Sequence, residues 1–216
     1  MYMCSGYLPL TRILVVLVTL FSSSSLSAGD AAAGKALFPV CTSCHGPTGL
    51  GNQAMNAPKL AGQEAWYVIK QMQLFQTDAR GGAPGDFSGM QMAMMSKGPQ
   101  LRSPQALADL AAYIATFENV RPAPTVVGDT EAGKQLYVAC AACHGAQGEG
   151  LEAMAGPRLA GQNDWYLVNQ IKKFQAKQRG YHASDHGGRQ MVPMVSMLAT
   201  DAGINDVVAY INTLDP

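Results

Sequence analysis

Cys41-Thr42-Ser43-Cys44-His45 and Cys140-Ala141-Ala142-Cys143-His144 are two copies of one word, C-x-x-C-H, set 99 residues apart. The text around them repeats at the same offset. Gly34-Lys35-Ala36-Leu37-Phe38 falls on Gly133-Lys134-Gln135-Leu136-Tyr137, and Pro58-Lys59-Leu60-Ala61-Gly62-Gln63 on Pro157-Arg158-Leu159-Ala160-Gly161-Gln162. Trp66-Tyr67 falls on Trp165-Tyr166, Gln71 on Gln170, Phe75 on Phe174, and Gln91-Met92-x-x-Met95 on Gln190-Met191-x-x-Met194. Beyond Met95 the first copy gains two residues, so that Tyr113 matches Tyr210 at an offset of 97. The chain therefore reads as one module used twice.

C-x-x-C-H is the attachment signature of c-type haem. Each thiol can add across a haem vinyl group to form a thioether, and the adjacent His then sits against the iron as proximal ligand. This assigns Cys41, Cys44, Cys140 and Cys143 to two covalent haem c groups, with His45 and His144 as axial ligands. A thioredoxin-type C-x-x-C needs no adjacent His and wants a βαβ setting. A zinc site would use closely paired C-x-x-C words or distal His pairs. Structural disulfides would not explain the repeated His.

The sixth ligand must come from elsewhere. Met92 lies 47 residues after His45, and Met191 lies 47 after His144. A thioether opposite imidazole raises the haem potential and closes the coordination sphere. Met is also a common core filler, and the chain has 12 of them, so spacing alone leaves Met95 with Met194, or Met94, as alternatives. His182 and His186 have no counterparts in the first half; either could replace Met191 as ligand, but a Gly-rich loop usually holds solvated His. Pro58 and Pro157 each follow their His by 13 residues. Their carbonyls could accept from the imidazole N–H and orient the ring; ordinary loop prolines are the plain alternative.

The rest of the pattern is helical, with no sustained period of two, so an all-α fold is expected. Helices are expected over Ala31–Val40 with Asp30 as N-cap, and over Glu64–Thr77 and Pro104–Glu118. Their second-half partners are expected from near Thr130, over Asn163–Lys177 and over Asp201–Leu214. Leu107, Leu110, Ala111 and Ile114 should face inward. Gly- and Pro-rich loops are expected at 46–58, 80–90, 145–157 and 180–189. Pro122 and Pro124 mark a short, stiff linker within Glu118–Asp129.

At the N-terminus, Arg12 precedes the apolar run Ile13–Phe21, and a Ser-rich stretch follows. That is the layout of a secretory signal, with Ser25 and Ser27 suited to cleavage before Ala28. The run is too short to span a bilayer, although a retained anchor is the alternative. Cys4 precedes the run and would leave with it. The expected organisation is a signal peptide over 1–27, a first domain over 28–120, a linker over 121–129 and a second domain over 130–216. Charge is balanced, at 15 basic and 15 acidic residues, which excludes a strong basic footprint for nucleic acid.

Taken together, the Ala28–Lys35 start, both C-x-x-C-H-G words, both Pro-(Lys/Arg)-Leu-Ala-Gly-Gln words and the Tyr113-Ile114 and Tyr210-Ile211 endings resemble the dihaem class I cytochromes c of the cytochrome c4 kind. The resemblance covers essentially the whole chain after residue 27. It implies two tandem cytochrome c domains, each packing its first helix on its last. Gly34 and Phe38 would then meet the helix of Tyr113, and Gly133 and Tyr137 that of Tyr210. It implies His/Met coordination through Met92 and Met191, and propionate contact between the two haems. The function implied is a periplasmic electron carrier between a quinol-oxidising cytochrome bc complex and a terminal oxidase or reductase. Such a carrier takes redox proteins as partners, has no small-molecule substrate, and leaves room for peripheral membrane association. The cytochrome subunit of a flavocytochrome c sulfide dehydrogenase is the alternative. A dihaem peroxidase fits less well, because both halves offer a Met.

Overall fold

The computed structural model describes residues 1–2 and 28–215, so the expected signal segment lies outside the described residues. Nine α-helices and four short 3-10 turns make up the regular structure of that region, whose only bridges are the isolated pairs Asn52–Ala57 and Leu151–Gly156. None of these helices is long and apolar enough to cross a membrane.

The first half comprises α1 (Ala31–Leu37), α2 (Pro39–His45), α3 (Ala65–Gln76), α4 (Phe87–Ser96) and α5 (Pro104–Ile114). The second comprises α6 (Thr130–His144), α7 (Asp164–Gln175), α8 (His186–Met194) and α9 (Asp201–Ile211). Asp30 and Asp129 cap α1 and α6 by accepting from the first free backbone N–H groups. The single helix expected from Ala31 is broken at Phe38, because Pro39 has no N–H to continue the ladder. Val138 stands at the matching place, so α6 runs unbroken. α5 and α9 stop about one turn before their expected ends, in turns through Thr116 and Thr213.

The expected loops 80–90 and 180–189 are corrected at their ends. Asp86 and Asp185 accept from the N–H groups of Gly89 and Gly188, and these caps start α4 and α8 there. Both Met segments are therefore helical, although the glycines at their starts hide this in the sequence.

In each half the first helix crosses the last. A Cβ added to Gly34 would lie 1.9 Å from the Asp109 carbonyl oxygen, and one on Gly133 would lie 2.0 Å from that of Asp206. No other residue permits this approach. Phe38 meets Tyr113 edge-on at 5.5 Å, and Tyr137 meets Tyr210 at 5.4 Å. Leu107, Leu110, Ala111 and Ile114 are buried as expected, joined by Phe38, Val68 and Leu101. Tyr137, Leu167, Leu198, Ile204, Val207 and Ile211 form the matching core of the second half.

Candidate functional site

The two halves face each other across a mostly apolar cavity of about 320 Å³. His45 and His144 both line it, each as the last residue of its helix. Gly46 and Gly145 then take the chain away at positive φ. His45 Nδ1 donates to the Pro58 carbonyl at 2.8 Å, and His144 Nδ1 donates to Pro157 at 2.7 Å. The other ring nitrogen of each is left as a lone-pair donor. Burial pushes both imidazoles below their usual pKa, against the opposing pull of the proline carbonyl. A neutral imidazole is the form that ligates a metal.

Cys41, Cys44, Cys140 and Cys143 are half-buried free thiols, and Cys140 and Cys143 line the cavity. Burial first, and then Cys44, pushes Cys41 up to about 11; burial and Cys143 raise Cys140. Neither is therefore an activated thiolate, which argues against a thioredoxin-like role.

Met92 and Met191 reach the same cavity from α4 and α8, half-buried. Met94 and Met95 are 68% and 50% exposed and stand away from it. Met194 and Met197 also touch the wall but are exposed. The two-residue insertion can be placed. Gln76 Nε2 donates to the carbonyls of Ser96 and Leu101, and Gln175 Nε2 to those of Val195 and Leu198. The offset is still 99 at Ser96 and has become 97 at Leu101, so the extra residues fall after Met92. Met92 and Met191 are thus equivalent in space, and Met94 is not the counterpart of Met191. His182 is exposed and bonds Ser184; His186 is exposed as the first residue of α8.

Between the halves lies a polar group that the sequence reading did not single out. Arg80 donates to Gln71 (2.6 Å), to the Tyr166 hydroxyl (2.8 Å) and to Gln170 (3.2 Å). Arg179 donates to Gln170 (2.9 Å), to the Tyr67 hydroxyl (3.3 Å) and to Gln71 (3.4 Å). Each guanidinium stacks on a ring of its own half, Phe75 or Phe174. The signal was present: Arg80, Asp86, Arg179 and Asp185 repeat at the offset of 99, in or beside segments that read as loop.

The residues fit a haem in each half. The cavity is mostly apolar and carries the two imidazoles and the Met92 and Met191 thioethers on its walls. Arg80 and Arg179, both buried, also line it, and Arg179 Nε lacks an acceptor, as a donor meant for a carboxylate would.

The cytochrome c family model matches residues 31–118 and again 130–215. The chain is 35% identical to cytochrome c4 of Azotobacter vinelandii over 218 residues, covering 95% of this chain and 100% of that one. It superposes on the crystal structure of reduced recombinant cytochrome c4 from Pseudomonas stutzeri with a TM-score of 0.68 at 29% identity, covering 87% of this chain and 100% of that one. It is also 29% identical over 215 residues to a thiosulfate dehydrogenase electron acceptor of Thiomonas intermedia, covering 95% and 92% of the two chains.

Proposed function

The chain belongs to the cytochrome c family, as two domains in tandem carrying two covalent haem c groups, and from that premise we propose that it is a periplasmic carrier of single electrons between a quinol-oxidising cytochrome bc complex and a terminal oxidase or reductase. When bound, each haem supplies an iron that cycles between ferric and ferrous, one electron at a time. The chain's part is to hold that iron still. Cys41 and Cys44, and Cys140 and Cys143, would fix the macrocycles covalently. His45 and Met92 would ligate the first iron, and His144 and Met191 the second. Pro58 and Pro157 keep each imidazole in one tautomer and one orientation.

The observation that carries this reading is the pairing of one carbonyl-anchored, neutral His with one half-buried Met on the walls of the cavity in each half. If His45 with Met92 and His144 with Met191 hold the two irons, no position would be left for peroxide, which speaks against a peroxidase. A potentiometric titration of the purified protein, followed in the visible spectrum, tests it. Two one-electron steps at high potential are expected, with two covalent haems per chain by mass. Met191→Ala should abolish the weak near-infrared thioether-to-iron band of the second site alone. A single haem, or a five-coordinate resting iron, would overturn the reading.

The export route rests on the pattern through Ser27, and a mature chain beginning at Ala28 in a periplasmic fraction would support it. A second reading draws on the likeness to the Thiomonas protein, that the donor is a sulfur-oxidising dehydrogenase instead of a bc complex. Reduction by one enzyme and not the other in a reconstituted assay separates the two.

A further inference from the structure

The internal repeat makes each half a control for the other, and one cluster fails to repeat. Lys173, on α7 of the second half, crosses the interface into the first. Its Nζ donates to Asp86 Oδ1 at 2.5 Å and to Ser88 Oγ at 2.6 Å. Asp86 is 1% exposed and caps the helix that bears Met92. The three equivalent positions, reading the other way across the interface, are Leu74, Asp185 and Gly187. Leu74 is buried and has no charge to offer. Asp185 is 2% exposed, caps the helix that bears Met191 through Oδ1, and has no hydrogen-bond partner for Oδ2. Asp86, Ser88, Lys173 and Asp185 all line the shared cavity.

Arg80 and Arg179 are equivalent by the repeat and place one guanidinium in each half. At the heads of the two Met helices the difference is one ammonium. In the first half it offsets the Asp86 carboxylate; in the second the Asp185 carboxylate accepts from Gly188 N–H but has no cation on it among the described residues. A buried charge acts through a low dielectric and is poorly screened by salt. A carboxylate beside a redox site favours the more positive, oxidised state, and a neighbouring cation cancels that preference.

We infer that Lys173 is a positioning residue for charge, which sets the Met92 site at a higher reduction potential than the Met191 site, so that an electron shared between them rests on the first half. The inference depends on the carrier reading above. An internal transfer moves one electron from the second site to the first, oxidising one as it reduces the other, with no bond made and no co-reactant.

The test is a redox titration of the holoprotein, with each midpoint assigned by following the Met92 and Met191 methyl resonances. The Met92 site should be reduced first. Lys173→Met should shift the reduction equilibrium of that site alone against reduction by about tenfold or more, equivalent to about 59 mV for one electron; Lys173→Arg should restore it. Asp185→Asn keeps a side chain that can cap a helix, and should shift the Met191 site in favour of reduction. A wild-type order with the Met191 site reduced first would overturn the inference. So would a Met92 site indifferent to Lys173→Met, or a Met191 site indifferent to Asp185→Asn. A protein without two one-electron steps would instead sink the carrier reading, whereas two intact steps that ignore these substitutions sink only this inference. Retention of both haems and of the near-infrared band in each variant shows that the ligands are undisturbed.

Discussion

Lys59 is a charged side chain that is only 1% exposed, at the seam between the two halves. Its Nζ donates to Asn119 Oδ1 at 2.6 Å and to the Gly161 carbonyl at 2.7 Å, both neutral acceptors. Burial first, and then the nearby Arg158 charge, pushes its pKa down to about 8. In the unfolded chain a lysine titrates near 10.4. Between those values the unfolded chain binds the proton that the folded chain has shed. Stability contributed by this group therefore rises with pH across that window and is lowest below pH 8. Chemical denaturation at pH 7.5 and pH 10 should show the wild type gaining stability relative to Lys59→Met. A constant difference would mean that the amine is not desolvated in solution. At the same scale, Gln76 and Gln175 tie the end of each Met helix to the loop that follows, which keeps Met92 and Met191 in register despite the insertion.

At the scale of the element, the contact of α1 with α5 and of α6 with α9 decides whether each half closes. It depends on Gly34 and Gly133, where backbone meets backbone with no room for a methyl group. Overpacking such a site forces helix displacement, and costs typically about 1–3 kcal/mol and at times more. Gly34→Ala should lower the unfolding free energy by at least that amount, read from the urea midpoint. Helix propensity works in the other direction, because Ala is the better helix former by about 1 kcal/mol. A stabilised Gly34→Ala protein would therefore show that the two helices do not touch in solution. The break between α1 and α2 at Pro39 leaves this crossing intact, since both Gly34 and Phe38 lie before it.

For the whole molecule, the interface between the halves is an internal twofold arrangement with unequal arms. The Arg80–Tyr166 bond at 2.8 Å is shorter than its mate, Arg179–Tyr67 at 3.3 Å. Burial would raise the Tyr166 pKa, but the charges of Arg80 and Arg179 outweigh it and lower it. Hydrogen bonds to charged groups contribute about 1.5–3 kcal/mol. Tyr166→Phe should cost stability in that range, and Tyr67→Phe distinctly less, measured by chemical denaturation. Equal costs would show that the two arms even out in solution. The linker adds to the join. Asp164 accepts from Thr125 N and Oγ1, from Val126 N and from Asn212 Nδ2, and Arg121 donates to the carbonyls of Asn212 and Leu214. The segment expected to be stiff from its prolines is thus also docked on the second half. Glu64 accepts from Arg158 N across the seam, and Gln162 donates to the Lys59 carbonyl.

Local chemistry is readable from the sequence because it depends on neighbours in the chain. C-x-x-C-H, the Asp30 cap, the helical stripes and the 99-residue repeat all involve residues whose spacing is itself the signal. That is enough for an all-α chain of two like modules and for the four cysteines and two histidines. The choice of Met92 over Met94 and Met95 is only half legible, since three sulfurs within four residues differ by which face of α4 they occupy. The starts of the Met helices read as loop, because their caps, Asp86 and Asp185, sit among glycines whose conformational freedom masks a helix start. What only the tertiary structure decided is the seam: Arg80 and Arg179 reaching across it, Lys59 sealed within it, and Lys173 set on Asp86 while Asp185 goes without. These pairs join residues more than 80 positions apart, and two equal halves can be placed against each other in many ways. The burial of these particular charges, most of which find a partner across the seam once water is excluded, selects one of them.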